Sequence, residues 1–294
     1  MSDLPGYLAY RAIAGVFSRL PEPAMRRSGE ALGRLLWHLA PKRRALVQRH
    51  LRRVVGESAD VVALSRRMFA SYGRYWAELF WITPRRKAEF VEHADVEGVE
   101  HATAARDAGR GVIFALPHIG NWEAAGAKAE AIGFPVLAAA EALSNQRIVD
   151  WFVECRRAVG IDVVVASTGA KVTAALMRRL GDGGTVALVA DRDVTGRGVE
   201  VEFFGEKTTM PAGPVALAER TGAALFPVGS YFKEGKGHDF VIHEPIVIPD
   251  APTREERIAG GVKAFASALE GIIRVAPEQW HLFVPNWPSD EEPG

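Results

Sequence analysis

The sequence predicts an α/β fold in which a central, mostly parallel or mixed β-sheet is flanked by helices and preceded by a basic helical element. From about residue 88 onward, short apolar segments alternate with helical patterns, which is typical of such a sheet. One of these segments, 111–116, contains only apolar residues after its glycine and is followed at once by polar residues. With 294 residues, 48% of them hydrophobic, the chain is long enough to bury a substantial core.

The first 87 residues are predicted to form an amphipathic helical element that associates with a membrane. They hold 17 Lys and Arg against 6 Asp and Glu, whereas the whole chain has a net charge of zero. Apolar spacing and the positions of prolines predict helices over 6–20, 24–40, 42–55 and 61–82. We assign residues 88–288 to the α/β core and residues 289–294 to a disordered tail. The N-terminal element and the core are expected to form one integrated domain.

The helix predicted over 42–55 is the strongest candidate for the membrane contact. It carries five arginines, namely Arg43, Arg44, Arg49, Arg52 and Arg53. Basic residues near an anionic leaflet contribute about 1 kcal/mol each, and Leu46, Val47 or the aromatic side chains of helix 61–82 are expected to add apolar insertion if they are not part of the core. The competing interpretation is a solvated face over a core helix, with the aromatic stripe also in the core. The acidic remainder of the chain and the lack of a known motif argue against nucleic acid as a partner.

The core is predicted to alternate strands and helices along the chain. Strands are expected over 111–116, 135–140, 161–166, 185–190, 199–204, 223–230 and 239–248. Helices are expected near 122–132, 145–159, 170–181, 211–221 and 254–275. This alternation is what an α/β sheet with crossover helices requires.

The segment from 111 to 123 is expected to place a histidine just after a buried strand. Pro117 keeps the end of the strand extended, and Gly120 permits a sharp bend. Asn121 is suited to cap a helix that begins near Trp122. His118 should therefore lie on the turn, at the edge of the sheet where α/β folds bind ligands.

Two carboxylates are expected near His118. Five residues of regular helix would rotate Glu123 about 140° away, which excludes a helical pair, but a strand–turn–helix bend lets Glu123 accept a hydrogen bond from one ring nitrogen. The other nitrogen is then available to take a proton from a substrate hydroxyl. Asp191 follows strand 185–190 as His118 follows strand 111–116, so the two are predicted to face each other. An ordinary polar turn with a solvated glutamate is the alternative for His118 and Glu123.

Other chemistries have little support in the sequence. The eight histidines are not paired at metal-ligand spacing and Cys155 is the single cysteine, so no metal, cofactor or internal disulfide is expected. The glycines at 181–184 precede a strand, whereas a phosphate-binding loop follows one, and a Gly-x-Ser-x-Gly motif is absent. Neither a membrane span nor a signal peptide is predicted. A histidine base without a protein nucleophile suits direct attack of a substrate hydroxyl on an activated acyl group.

Several segments carry a resemblance to a known family. His118-x-x-x-x-Glu123, with Leu116-Pro117 before it, resembles the His-x4-Asp/Glu motif of the lysophospholipid acyltransferase superfamily, in its lipid A late-acyltransferase branch. Further segments are similar to the phosphatidylinositol mannoside acyltransferases of actinobacteria, namely Ser71–Trp76, Asp191–Asp193, Gly198–Gly205, Met210–Pro214 and Trp280–His281. The likeness extends in order over almost the whole chain.

The resemblance implies a glycerolipid acyltransferase-like fold and transfer of a fatty acyl chain from acyl-CoA, as co-substrate, to a mannose hydroxyl of a phosphatidylinositol mannoside. The implied location is peripheral, at the inner, cytoplasmic face of the plasma membrane. His118 becomes the general base, Glu123 matches the acidic position of the motif, and Asp191 matches a second carboxylate that hydrogen-bonds the histidine. In the mycobacterial pattern these two acids are Asp and Glu respectively, and here they are exchanged, so the division of their roles stays open.

Substrate binding is expected to be bipartite, with an apolar groove for the acyl chain and cations for the phosphates. Arg156, which matches a family arginine near the active-site groove, and Arg192 are the candidate cations, although Arg192 can instead pair with a neighbouring aspartate. Asn121 and Trp122 of the motif are also assigned to substrate binding. A lipid A type or other glycolipid O-acyltransferase and a non-catalytic lipid-binding protein remain alternatives, and the intact motif favours an enzyme.

Overall fold

A computed structural model describes residues 3–57, 59–140, 145–165 and 169–290 of the chain and confirms the α/β class. The α-helices are α1 (Asp3–Phe17), α2 (Glu22–Leu39), α3 (Pro41–Val55), α4 (Val61–Trp81), α5 (Lys87–Glu92), α6 (Val99–Asp107), α7 (Trp122–Ala131), α8 (Gln146–Ala158), α9 (Gly169–Gly181), α10 (Gly213–Thr221) and α11 (Arg254–Val275). The strands are β1 (Ala94–Glu97), β2 (Val112–Leu116), β3 (Val136–Ala140), β4 (Asp162–Val165), β5 (Thr185–Val189), β6 (Val199–Phe203), β7 (Glu206–Met210), β8 (Ala224–Phe232) and β9 (His238–Ile242). Short 3-10 helices cover Pro277–Gln279 and Pro288–Asp290.

Within the described residues, seven strands form one sheet in the order β1-β9-β8-β2-β5-β3-β4. Neighbouring strands run parallel except β8 and β9, which are antiparallel. β6 and β7 form a separate antiparallel hairpin. The sheet is therefore mixed and mostly parallel, as predicted.

Both faces of the central strands are covered, which explains why β2 is apolar at every position. Ile113 and Ala115 point into a cluster with residues of α3, α4, α9, α10 and α11. Val112, Phe114 and Leu116 point into a second cluster with residues of α4, α5, α6 and α7. Because α3 and α4 contribute to these clusters, the N-terminal helices pack into the same core as the sheet.

The predicted boundaries differ from the observed ones mainly at short or polar elements. The strand predicted over 239–248 ends at Ile242, since Pro245 and Pro249 interrupt the ladder that it would need. The sequence pattern does not predict β1, β7, α5 and α6, because they are short and carry polar residues on at least half of their positions. Position 166 of the strand predicted over 161–166 lies outside the described residues.

α3 packs into the core through its apolar side, and this corrects the apolar insertion predicted for it. Leu46 and Val47 are buried, so the prediction that they insert into a bilayer is wrong. Three of its five arginines donate hydrogen bonds to other elements, and one of these is Arg44, which binds the carbonyl oxygen of Trp37 in α2 (3.2 Å). Arg53 donates hydrogen bonds to Glu206 (2.6 Å) and Asp290 (3.0 Å), and Arg49 donates to the carbonyl oxygen of Asp290 (3.0 Å).

The predicted disordered tail begins with residues that are ordered. Asp290 is buried and its carboxylate binds the Nε2 atom of His50 in α3 at 2.8 Å. Ser289 accepts a hydrogen bond from Arg53 at 2.6 Å. The prediction of disorder is wrong for Ser289 and Asp290, and residues 291–294 lie outside the described residues.

α1 and α2 each expose apolar residues, which together we call the outer face of α1 and α2. α2 packs closely on α4, where a side chain at Gly33 would collide with the carbonyl oxygen of Phe69. The exposed apolar residues of the outer face are Leu4, Leu8, Ile13 and Val16 of α1 with Leu32, Leu35 and Leu39 of α2. None of the described helices has the length and apolar character needed to cross a bilayer.

Candidate active site

The register of the sheet brings His118 and Asp191 together. β2 and β5 are parallel neighbours in which Leu116 lies opposite Val189. His118 and Asp191 each follow two residues beyond this pair, so both leave the sheet at the same edge. The turn after His118 has the predicted form, with Gly120 at a φ of 57° and its Cα against the carbonyl group of Ser230, where a side chain would not fit.

Asp191 receives three hydrogen bonds, all from donors. The Nδ1 atom of His118 donates to Oδ1 at 2.5 Å, while the backbone N–H of His118 and the Nε1 atom of Trp280 donate to Oδ2 at 3.1 and 2.8 Å. An ionised carboxylate can only accept, so the imidazole carries its proton on Nδ1. Nε2 makes no hydrogen bond to the described part of the chain, and its lone pair is available to a substrate.

The carboxyl group of Asp191 stays ionised although it is fully buried. Burial by itself would raise its pKa, but the His118 imidazole and the hydrogen bonds from His118 and Trp280 hold the pKa below its usual value. The negative charge is therefore present at neutral pH, where it would stabilise an imidazolium formed on His118.

Glu123 has a different partner from the one predicted. Arg156 of α8 contacts both carboxylate oxygens, with Nε at 3.1 and 2.9 Å and Nη2 at 2.5 Å from Oε1. This pairing raises the pKa of Arg156 still further. The prediction that Glu123 accepts a hydrogen bond from the imidazole is wrong, and Asp191 provides that bond. Glu123 instead holds the Arg156 guanidinium at the wall of the site.

Asn121 and Trp122 lie on opposite sides of the turn. The Asn121 side chain is fully buried and caps α7, with Oδ1 accepting from the backbone N–H groups of Glu123 and Ala124 at 3.1 Å. Its Nδ2 atom donates to Glu78 at 2.7 Å. Asn121 therefore holds the turn from inside the protein, whereas Trp122 faces outward with its ring 5.4 Å from that of His118.

A buried ionic network supports this turn from behind. Glu78 of α4 binds Arg74 at 2.7 Å and the Nε2 atom of His238 at 2.8 Å, in addition to Asn121. Burial opposes ionisation of Glu78, but His238 and Arg74 outweigh it and lower its pKa to about 2. The sequence analysis missed this network, because its members are separated along the chain and only the Arg74 to Glu78 spacing is a recognisable helical pair.

His118 opens onto a cleft with a volume of about 440 Å³. Its polar residues are His118, Arg156 and Arg192, and the remainder of the wall is apolar or aromatic, including Tyr75, Trp76, Leu79, Trp122, Phe152 and Leu188. The residues from α4 were predicted to belong to the core, since a cleft wall and a core face have the same helical spacing. Among the described residues, no three or more His, Cys, Asp and Glu side chains are grouped as metal ligands would be.

This geometry defines a class of protein when it is combined with the comparison to known families. The family model for bacterial lipid A biosynthesis acyltransferases matches residues 3–289. The chain belongs to this family, and it is an acyltransferase.

Individual relatives show which kinds of acyltransferase this chain is similar to. The chain is 39% identical over 247 residues to a phosphatidylinositol mannoside acyltransferase of Mycolicibacterium smegmatis, covering 83% of this chain and 79% of the relative. It is 34% identical over 291 residues to the phosphatidylinositol mannoside acyltransferase of Mycobacterium tuberculosis, covering 97% and 87%. A lipid A biosynthesis acyltransferase of Haemophilus influenzae is 25% identical over 218 residues, covering 73% and 65%. The resemblance indicated by the sequence motifs is confirmed.

Proposed function

We propose that the protein transfers a fatty acyl chain from acyl-CoA to a mannose hydroxyl of a phosphatidylinositol mannoside, with His118 as the general base. The observation that carries the proposal is the imidazole whose Nδ1 is held by Asp191 and whose ring lines an apolar cleft. The choice of acceptor rests on the relatives named phosphatidylinositol mannoside acyltransferase, which are 34% to 39% identical to this chain.

The proposed reaction is a direct transfer without an acyl-enzyme intermediate. The acceptor hydroxyl gives its proton to Nε2 of His118 while its oxygen attacks the thioester carbon. The carbon–sulfur bond then breaks, and the leaving thiolate takes the proton from the imidazolium. Cys155 is not suited to act as a nucleophile, since burial raises the pKa of its thiol to about 11.

The two parts of an acyl-CoA molecule match different parts of the cleft. The apolar walls suit the acyl chain, and Trp122 also borders a second apolar cavity of about 60 Å³ between α7 and the sheet. Arg192 is the proposed contact for a phosphate of CoA or of the lipid. The Nε and Nη2 atoms of Arg156 bind Glu123, which fixes the guanidinium group. We therefore propose that Arg156 contacts the substrate from a fixed position.

Peripheral association with an anionic membrane is also part of the proposal, now through the outer face of α1 and α2. This face carries the exposed leucine, isoleucine and valine residues described above, with exposed arginines beside them such as Arg11 and Arg27. An apolar face bordered by basic residues is typical of helices that lie in the membrane surface. Tyr10 of α1 packs on Phe152 of the cleft wall, so a membrane on the outer face would lie beside the cleft.

The catalytic proposal is tested by incubating purified protein with labelled acyl-CoA and separate acceptor lipids. We expect acylated phosphatidylinositol mannoside as the product, and none from protein in which His118 is changed to Ala. Preferential acylation of a lipid A precursor or of another glycolipid would show that this lipid is the acceptor and that phosphatidylinositol mannoside is not. Binding of lipids without turnover of any of them would identify a lipid-binding protein instead.

The membrane proposal is tested by co-sedimentation with vesicles that contain an anionic phospholipid. A variant with Leu8, Ile13 and Val16 changed to Gln is expected to bind much less than the unaltered protein. The matched control changes the exposed Val247 and Val275 to Gln, on other parts of the surface, and should bind normally. Binding should also fall at high salt, because charges contribute about 1 kcal/mol each at low salt. Equal binding by all three proteins would exclude the outer face as the contact.

A further inference from the structure

Tyr75 of α4 is a buried residue of the cleft to which the sequence motifs assign no role. Its side chain is 5% exposed and lines the cleft together with His118. Its ring lies 4.1 Å from that of Trp122, and the Trp122 ring lies 5.4 Å from that of His118 on an edge-to-face approach. The rings of Tyr75 and His118 are therefore both neighbours of the Trp122 ring in the same cleft.

The hydroxyl group of Tyr75 has no partner inside the described part of the chain. Another buried tyrosine, Tyr231, donates its hydroxyl to the carbonyl oxygen of Ile272 at 2.9 Å. The Tyr75 hydroxyl is instead accessible from the active-site cleft, where a ligand group can accept its hydrogen bond.

Burial fixes the form of this hydroxyl. Burial and then the negative charge of Glu123 raise the pKa of Tyr75 well above its ordinary value of 10.0. The phenol consequently remains protonated throughout the neutral range, where it can donate a hydrogen bond and cannot act as a base.

The reaction requires a donor that the turn at His118 does not supply. Negative charge develops on the carbonyl oxygen of the acyl group when a hydroxyl attacks, and enzymes usually meet it with backbone N–H groups. Here the backbone N–H of His118 donates to Asp191 and that of Asn121 donates to Ser230. Those of residues 119 and 120 donate to the carbonyl oxygens of Pro117 and Gln279. All four N–H groups of the turn are already used.

We infer that the Tyr75 hydroxyl donates a hydrogen bond to the carbonyl oxygen of the acyl group as that oxygen becomes negative. The inference rests on the proposed transfer from acyl-CoA. His118 takes the proton of the attacking hydroxyl, the new carbon–oxygen bond forms and the carbon–sulfur bond breaks. Tyr75 keeps its proton throughout.

Tyr75→Phe is the central test, because it removes the hydroxyl and leaves the ring on Trp122. Loss of one donor to such an oxygen lowers kcat by about 10²-fold, and KM for acyl-CoA should stay within about twofold because the bond strengthens only in the transition state. The shape of the pH–rate profile should not change between about pH 6 and pH 8, because the phenol keeps its proton throughout the reaction. Tyr72→Phe is the matched control. Tyr72 stacks on Tyr75 at 6.3 Å but does not line the cleft, and its change should leave kcat unaltered.

Hydrolysis of acyl-CoA, measured without an acceptor lipid, tests the role of Tyr75 independently of which lipid is the acceptor. Water attacking the same carbonyl carbon generates the same negative oxygen, so Tyr75→Phe should lower slow hydrolysis by a similar factor. If Tyr75→Phe keeps kcat within about threefold of the unaltered protein in both assays, the role of Tyr75 is overturned, whereas the proposed acyl transfer is not. A raised KM for the acceptor with normal kcat would overturn it as well, by making Tyr75 an acceptor contact. Failure of the unaltered protein to consume acyl-CoA in either assay would overturn the proposed function and this inference with it.

A second variant answers the question if Tyr75→Phe does not fold. Tyr75→3-fluorotyrosine keeps the shape and the hydroxyl of the residue and makes the phenol a stronger donor. We expect kcat to change while KM is constant, and an unchanged kcat would overturn the inference. Thermal unfolding of each variant, compared with the unaltered protein, verifies that the folded state is being measured.

Discussion

The site contains two carboxylates with different partners, and the contrast explains what each can do. Asp191 binds an imidazole and leaves the second nitrogen of that ring open to the cleft. Glu123 binds a guanidinium through both oxygens and forms a closed ion pair. Both acids are buried, so burial alone does not distinguish them. The identity of the partner determines whether a buried carboxylate supports proton transfer or a fixed geometry.

We call Asp191 with His118 the first pair and Glu123 with Arg156 the second pair. The largest effect is expected when the imidazole is removed from the first pair. His118→Ala should lower kcat by about 10³-fold or more, since general-base catalysis contributes about 10²–10⁴-fold. The unfolding midpoint in urea should fall as well, because the fully buried Asp191 loses the imidazole that helps to keep it ionised, so turnover is compared on folded protein. Turnover within threefold of the unaltered protein would remove His118 as the base.

Asp191→Asn tests whether the first pair acts through the tautomer of His118. The amide presents an NH₂ group to a position where three donors converge, so at least one of them loses its acceptor. We expect kcat to fall by about 10²–10⁴-fold with a nearly constant KM for acyl-CoA. Steady-state kinetics measure both constants, and an effect confined to KM would contradict this role.

Glu123→Gln tests the second pair and should act mainly on stability. It leaves the Arg156 charge without its counter-charge in a mostly buried position, which typically costs on the order of 3 kcal/mol of unfolding free energy. We expect turnover to fall by less than it does in Asp191→Asn. The matched control replaces both residues, Glu123 by Leu and Arg156 by Met, and should recover much of the lost stability in urea unfolding. If stably folded Glu123→Gln lost as much turnover as Asp191→Asn, the assignment of different roles to the two pairs would be wrong.

The smallest expected effect is a dependence of stability on pH that the pair of Asp191 and His118 produces. The pKa of Asp191 in the folded protein lies below its ordinary value of 3.8, so as the pH falls the unfolded chain binds the proton first. The stability that Asp191 contributes is therefore complete above about pH 4 and is lost as the pH falls through the folded pKa. Urea midpoints of the unaltered protein and Asp191→Asn should accordingly converge in acid. A constant difference from pH 7 to pH 3 would contradict this assignment.

The sequence predicted the sheet and the location of His118 and Asp191, because both depend on local pattern. An apolar strand that ends in a polar turn can be recognised along the chain, and parallel neighbours place such turns at one edge. The partner of Glu123 could not be predicted in the same way. Arg156 lies 33 positions away, and its approach depends on how α8 packs against β4 and α1.

The membrane contact shows the same limit. The charges of α3 were visible in the sequence, but the acids that bind Arg53 belong to a distant hairpin and to the segment after Trp287. A basic amphipathic helix has the same pattern whether its arginines face a bilayer or a partner in the fold. The exposed leucines of α2 likewise have the periodicity of a core face, and packing alone leaves them outside.

The hydrogen bond from Trp280 to Asp191 gives the site an order of assembly during synthesis. Trp280 follows Asp191 by 89 positions, and the backbone N–H of His281 donates to the carbonyl oxygen of His118. A nascent chain whose sheet has already folded still lacks the last donor to its buried carboxylate until these residues leave the ribosome. The hydrogen bonds from Trp280 and His281 can therefore join the site only after every residue of the cleft wall, the last of which is Val194, has been synthesised.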